Sequence, residues 1–100
     1  MKVRWTNRAS RDVGRLSGFL APVAPETAAK VAQALTRSPN RLIDFPRVGQ
    51  RAEGHINKEV RKLTVGQYIM HYEILGEEII VLRIWHSRED WSFDARVRTS

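Results

Sequence analysis

The chain has no cysteine. No disulfide or thiolate metal site can staple it, and nothing in it points to secretion. It also has no long apolar run. None approaches the roughly 20 residues of a membrane span, and no apolar segment follows the basic start as one would in a signal peptide. A soluble cytoplasmic protein with no membrane partner is expected. His55, His71 and His86 are scattered and have no carboxylates at ligand spacing, so no metal site is expected. Gly14 and Gly18 stand isolated in a helical pattern and make no phosphate-binding loop. There is no GxSxG elbow to present a serine nucleophile; Ser38 and Ser87 read as caps or turn residues. No cofactor is expected, and there are no repeats or low-complexity tracts.

What remains is a small basic chain. One hundred residues, 42% of them hydrophobic, suffice for one modest core. Seventeen basic and eleven acidic side chains leave a formal charge of +6. That excess suits an acidic partner, either nucleic acid or an acidic protein segment, and equally suits a basic surface with no partner.

The stretch from Glu59 to Trp91 carries the strongest pattern. Gln67 to Ile74 and Glu78 to His86 alternate and are rich in β-formers, and Leu75-Gly76-Glu77 joins them as a hairpin. A shorter run, Glu59 to Leu63, precedes them across Thr64-Val65-Gly66. Upstream, Lys2 to Trp5 is a short strand. Ala9, Val13, Leu16 and Leu20 mark one stripe of a helix from about Arg8 to Phe19, with Arg8, Arg11, Asp12 and Arg15 on its other side. Pro25 opens a second helix, whose buried stripe is Ala28, Val31, Ala32 and Leu35. A short turn begins at Pro39, capped by Ser38, and a polar loop runs from Arg47 to Asn57. The order β-α-α-β-β-β predicts an α+β domain: an N-terminal strand and a helical hairpin packed on one face of a mainly antiparallel sheet. The domain is expected to span residues 1–91, with a C-terminal tail over 92–100.

Alternation sorts the strands into faces. Tyr68, Met70 and Tyr72 with Ile80, Leu82 and Ile84 are the expected core side. Arg83, Trp85, His71, Glu73, Gln67 and Arg61 are the expected open side. Two readings of that side follow. It is a binding or catalytic surface, where arginines hold phosphate, His71 and Trp85 stack on a base, and a histidine moves a proton. Or it is a solvated face with Arg61 and Arg83 paired to Glu59 or Glu73.

Four segments in this order resemble the RelE/ParE superfamily, toxins of bacterial type II toxin–antitoxin pairs. They are Leu42-Ile43-Asp44-Phe45-Pro46 with Gly49, Glu59 to Leu63, Gly66 to Ile74, and Val81 to Trp91. The resemblance covers roughly Val3 to Trp91. It implies a cognate acidic antitoxin that folds around the toxin as a hetero-oligomer. It also implies one of two targets: messenger RNA on the ribosome for RelE-like members, or DNA gyrase for ParE-like members. RelE-like nucleases carry arginine where this chain has Ile69 and Ser87, and a tyrosine where the nearest aromatics here are Trp91 and Phe93. Of the basic residues before that strand, Lys62 is kept. An aliphatic residue after Tyr68 and the His86-x-Arg88-x-Asp90 end resemble the ParE branch. The resemblance therefore implies a gyrase inhibitor that acts by binding, with Arg61, Lys62, Arg83, Trp85, His86, Arg88 and Trp91 as candidate contacts. The alternative is a ribosome-dependent mRNA endonuclease using Arg61, Arg83 and His86. A third reading is a toxin-like fold that has lost activity and only binds a partner.

Overall fold

A computed structural model describes residues 1–89. Trp91 and the expected tail over 92–100 lie outside the described residues. The element order is β1 (Lys2–Trp5), α1 (Asn7–Leu20), α2 (Pro25–Arg37), a 3-10 turn (Ser38–Asn40), α3 (Arg41–Asp44), β2 (Gln50–Arg51), β3 (Glu59–Val65), β4 (Tyr68–Leu75) and β5 (Glu78–His86). The expected α+β architecture is observed, with two additions. The 41–44 segment closes into a helical turn, and the loop expected over 47–57 contributes a two-residue edge strand. Among the described residues the sheet has five strands in the order β1-β5-β4-β3-β2. β1 runs parallel to β5, and every other pairing is antiparallel. Both tight hairpins turn on a glycine with φ +59°, at Gly66 and Gly76, where other residues are strained.

Local chemistry sets the helix ends. Thr6 caps α1 by accepting a hydrogen bond from the Ala9 N–H. Pro25 sits in the first turn of α2, where its missing N–H costs nothing. The helices lie on one face of the sheet. Their Ala9, Leu16 and Leu35 meet Leu63, Met70, Tyr72, Ile79, Val81 and Ile84 in one buried cluster.

That cluster corrects the expected facing of β5. Ile79 and Val81 lie on the core side along with Ile84, and Ile80 sits across from Glu73 on the other side. The cause is a bulge. His71 pairs with Arg83 and Tyr72 with Val81, leaving Leu82 unmatched. One extra residue reverses the alternation on either side of it. Arg61 is corrected as well. It stands opposite Tyr72 on the helix side, and it is Lys62, opposite His71, that stands on the open side.

β1 is shorter than β5, and α1 takes over where β1 stops. Beyond the Trp5–Val81 pair, the β5 edge would expose backbone groups. The Thr6 hydroxyl lies 2.9 Å from the Val81 carbonyl and 3.1 Å from that of Leu82. The Ile84 N–H donates to Asp12 Oδ2 at 2.9 Å, and Arg15 donates to the Ile84 carbonyl at 3.3 Å. Asp12 is therefore buried, not on the solvent side of the helix as expected. Its Oδ2 also accepts from Arg83 Nε at 2.8 Å, and its Oδ1 faces Arg15 at 3.4 Å.

A second anchor holds the 45–49 loop. The Tyr72 hydroxyl donates to the Pro46 carbonyl at 2.7 Å and accepts from the Gly49 N–H at 3.1 Å. A Cβ on Gly49 would come 2.6 Å from the Lys62 carbonyl oxygen and 2.7 Å from that hydroxyl, so only glycine allows this approach. Burial pushes the Tyr72 phenol up from its ordinary pKa.

Two outcomes follow for chemical denaturation. Asp12→Ala strips a buried hydrogen-bond acceptor and an ion-pair partner together, and is expected to cost about 3 kcal/mol. Asp12→Asn, which retains an acceptor for Ile84, should cost less. Tyr72→Phe leaves two backbone groups without partners and is expected to cost about 1–3 kcal/mol. It should also speed amide exchange at Gly49. Urea midpoints and exchange rates measure both.

Candidate functional site

Two surfaces carry the candidate residues: the end of β5 facing α1, and the open sheet face.

At the β5 end, His86 stands opposite Tyr68, and their rings meet edge to face at 5.1 Å. Both imidazole nitrogens are engaged. Nδ1 accepts from the Arg88 N–H at 3.0 Å, and Nε2 lies 3.1 Å from Gln67 Oε1, which the Nε2–H tautomer satisfies. The His86 N–H donates to Glu89, which also pairs with Arg15 at 2.8 Å. Between this strand end and α1 lies a cleft of about 450 Å³. Leu16, Phe19, Leu20 and Tyr68 line it, and Arg15, His86, Arg88 and Glu89 supply its polar edge. Phe19 is 83% exposed. A second hollow adjoins it through Leu20, Tyr68 and His86 and reaches Val31 and Ala34 of α2. The sequence pattern placed Phe19 at a helix end and did not mark it as part of a surface. The signal was there in Phe19-Leu20 and Val23, three apolar residues around a turn that needs none.

On the open face, Lys62, His71 and Arg83 stand in one row across β3, β4 and β5. Trp85 is 5% exposed and meets His71 edge to face at 4.6 Å. Its ring is packed and not available as a platform for a base, contrary to the stacking role expected for it. His71 is pushed down to a pKa of about 4. Burial is the main cause, followed by the charges of His55, Lys62 and Arg83. His71 is therefore neutral at physiological pH.

The three residues of the nuclease alternative are not brought together. Arg61 lies on the helix side, held by Glu59 at 2.9 Å and by the Gly49 carbonyl at 2.8 Å. Glu59 is shared with Arg47, and these two guanidinium groups, Arg47 foremost, hold its carboxyl below the usual range. The expected Arg61–Glu59 pair is thus present, within one strand. Arg83 pairs with Asp12 of α1, not with Glu59 or Glu73. His86 stands at the strand end. Arg88 is exposed there. Among the described residues, no three His, Asp or Glu side chains form a group able to hold a metal ion, and no helix is long and apolar enough to cross a membrane.

The depressed pKa of His71 has a consequence for stability. The folded state takes up this proton near pH 4, the unfolded chain near 6.5. Between those values the unfolded state binds more protons. The contribution of neutral His71 is therefore complete above pH 6.5 and is lost as pH falls toward 4. Urea midpoints at pH 7.5 and 5.0 are expected to drop more for the wild type than for His71→Gln. An NMR titration should place the His71 midpoint well below that of a peptide histidine.

With the fold and these surfaces in place, the chain can be compared with known proteins. Toxin RelE1 of Caulobacter vibrioides is 34% identical over 84 residues, covering 82% of this chain and 88% of that protein. Putative toxin Y4kP of Sinorhizobium fredii is 27% identical over 92 residues, covering 90% and 92%. A chain of the chromosomal ParDE toxin–antitoxin system from P. aeruginosa superposes with a TM-score of 0.72 at 25% identity, over 86% of this chain and 95% of that one. The isolated E. coli RelE toxin shares the fold, with a TM-score of 0.59 at 15% identity over 97% and 95%. The family model described as the ParE toxin of type II toxin–antitoxin systems matches residues 3–91, and the chain belongs to that family.

Proposed function

We propose that this toxin acts as the ParE branch of the superfamily does, by binding and inhibiting DNA gyrase in the cytoplasm without cutting RNA. The observation that carries this reading is the dispersal of Arg61, Arg83 and His86. Metal-free cleavage of RNA needs a proton acceptor and a charge stabiliser converging on one phosphate. Here Arg61 is occupied by a carboxylate and a carbonyl. Arg83 is tied to Asp12, and both nitrogens of His86 are engaged. Ile69 and Ser87 stand where the nuclease pattern has arginine.

The partner in this reading is an acidic antitoxin that forms a hetero-oligomer with the toxin. The cleft beside α1 suits it. An amphipathic segment would lay apolar side chains against Leu16, Phe19 and Leu20 and place carboxylates near Arg15 and Arg88. The Arg15–Glu89 pair is exposed and thus replaceable by such a carboxylate. Arg88, His86 and Lys62 are the contacts most accessible to the target. Arg61, Arg83 and Trp85 would act by holding the sheet surface in shape.

Two assays run side by side on the purified protein test this. One measures gyrase supercoiling and trapped cleavage complexes. The other measures messenger RNA cleavage on translating ribosomes. Gyrase inhibition with intact RNA is expected. RNA cuts with unaffected gyrase would overturn the reading in favour of the RelE-like endonuclease. His86→Ala, at a half-exposed strand end, is expected to weaken growth inhibition tenfold or more while the urea midpoint changes little. An equally toxic variant would remove His86 from the target surface.

A further inference from the structure

The segment from α3 to β2 carries exposed apolar side chains on a tightly held backbone. Phe45 is 67% exposed and Val48 51%, and Ile43 of α3, just before them, is exposed as well. Phe45, Pro46, Arg47 and Val48 surround an open hollow of about 370 Å³. The backbone beneath them is fixed. The Phe45 N–H donates to the Arg41 carbonyl at 3.0 Å, and the Val48 N–H donates to the Phe45 carbonyl at 3.2 Å. The Tyr72 hydroxyl ties down Pro46 and Gly49, and Glu59 holds Arg47 at 2.8 Å. An aromatic ring carried on such a frame is already positioned for a contact, so docking onto it orders little backbone. The hollow shares no lining residue with the cleft beside α1.

We propose that this patch joins two copies of the chain in a two-fold dimer. A two-fold contact needs a surface complementary to itself. In shape, the patch has both a projecting ring, Phe45, and a hollow beside it that the Phe45 of a second copy can enter. In charge, its rim carries one residue of each sign. Arg41 and Asp44 are exposed one helical turn apart on α3, and neither makes a described ion pair. When two α3 turns meet antiparallel, Arg41 of each copy comes opposite Asp44 of the other. An acidic partner fits less well, because Asp44 repels it and Arg47 is already covered by Glu59. Three apolar side chains cover less than the roughly 800 Å² per partner of a stable interface, so the dimer is weak and builds up only at high concentration. It leaves the cleft beside α1 open on both copies.

The test needs only the purified full chain, so it stands or falls apart from the function proposed above. Sedimentation velocity from about 10 to about 500 µM is expected to show the wild type moving from monomer toward dimer. Phe45→Asp should weaken association about tenfold or more, with little change in the urea midpoint because the ring is exposed. Arg41→Asp and Asp44→Arg, each alone, set like charges against each other and should weaken association about three- to tenfold. Mixed one to one, these two variants restore both opposite-charge contacts and should associate at least as well as wild type. By NMR, dilution should shift the amides of residues 41–48 and leave that of Phe19 unmoved. A wild-type chain that stays monomeric throughout overturns the proposal and leaves the patch to a different protein. So does a Phe45→Asp chain that dimerises like wild type, which places the contact elsewhere. So does a one-to-one mixture that associates no more tightly than either variant alone.

Discussion

The carboxylate of Asp12 is the contact on which the sheet's arrangement depends. β5 spans nine residues and β1 only four, so half of a central strand would present bare backbone on one edge. Unpaired backbone groups out of water cost about as much as a lost hydrogen bond, and each must find a partner. Here the partners are side chains of the helix that follows β1. Thr6 serves both as helix cap and as a neighbour of two β5 carbonyls. Asp12 takes the Ile84 N–H, and Arg15 reaches the Ile84 carbonyl. The first helix is therefore docked by polar bonds along its edge as well as by Ala9 and Leu16 beneath it. A carboxylate buried there needs cations, and Arg15 and Arg83 provide them. This explains why Arg83, a candidate contact on sequence, is an internal brace.

Much of the fold was legible in the sequence because hydrophobic period and turn residues agree from Glu59 onward. The strand β5 was read to the residue, and the proline at 25 marked the start of α2. The facing of β5 was not legible. A bulge adds one residue without any mark in composition, and strict alternation then puts Ile79 and Val81 on the wrong side. Arg61 and Lys62 exchanged faces for a related reason: β3 follows its register with β4, and a one-residue slip reverses a whole strand. Asp12 was also misread, because a charged residue on a helix is normally solvated. Its spacing held a hint: it lies three residues after Ala9 and four before Leu16, within the buried stripe. Trp85 looked like an exposed platform for the same reason that any aromatic on an open face does, and packing beside His71 decided otherwise.

The site was less legible than the fold, and the cause is physical. Sequence spacing says which residues share a strand. It does not say which carboxylate each arginine will meet. Arg61, Arg83 and His86 look alike as free donors on paper. In the folded chain each is committed, to Glu59, to Asp12, and to Gln67 with the Arg88 backbone. A guanidinium held bidentate or shared between a carboxylate and a carbonyl has little left with which to stabilise a developing charge. On the reading proposed above, such a fold can keep its basic residues without cutting RNA, because each finds an internal partner.

What is left around the candidate residues once those commitments are counted lies on two surfaces. An apolar cleft opens beside the helical hairpin, at Phe19, Leu20 and Tyr68, next to an exchangeable ion pair. On the other face of the sheet Lys62 stands beside His71, which burial above all keeps neutral. A neutral imidazole among cations is a compromise: burial lowers its charge, and the row avoids a third full repulsion. The low proton affinity of His71 thus follows from its place in the sheet, where packing removes water from the imidazole and the nearest charges are of its own sign.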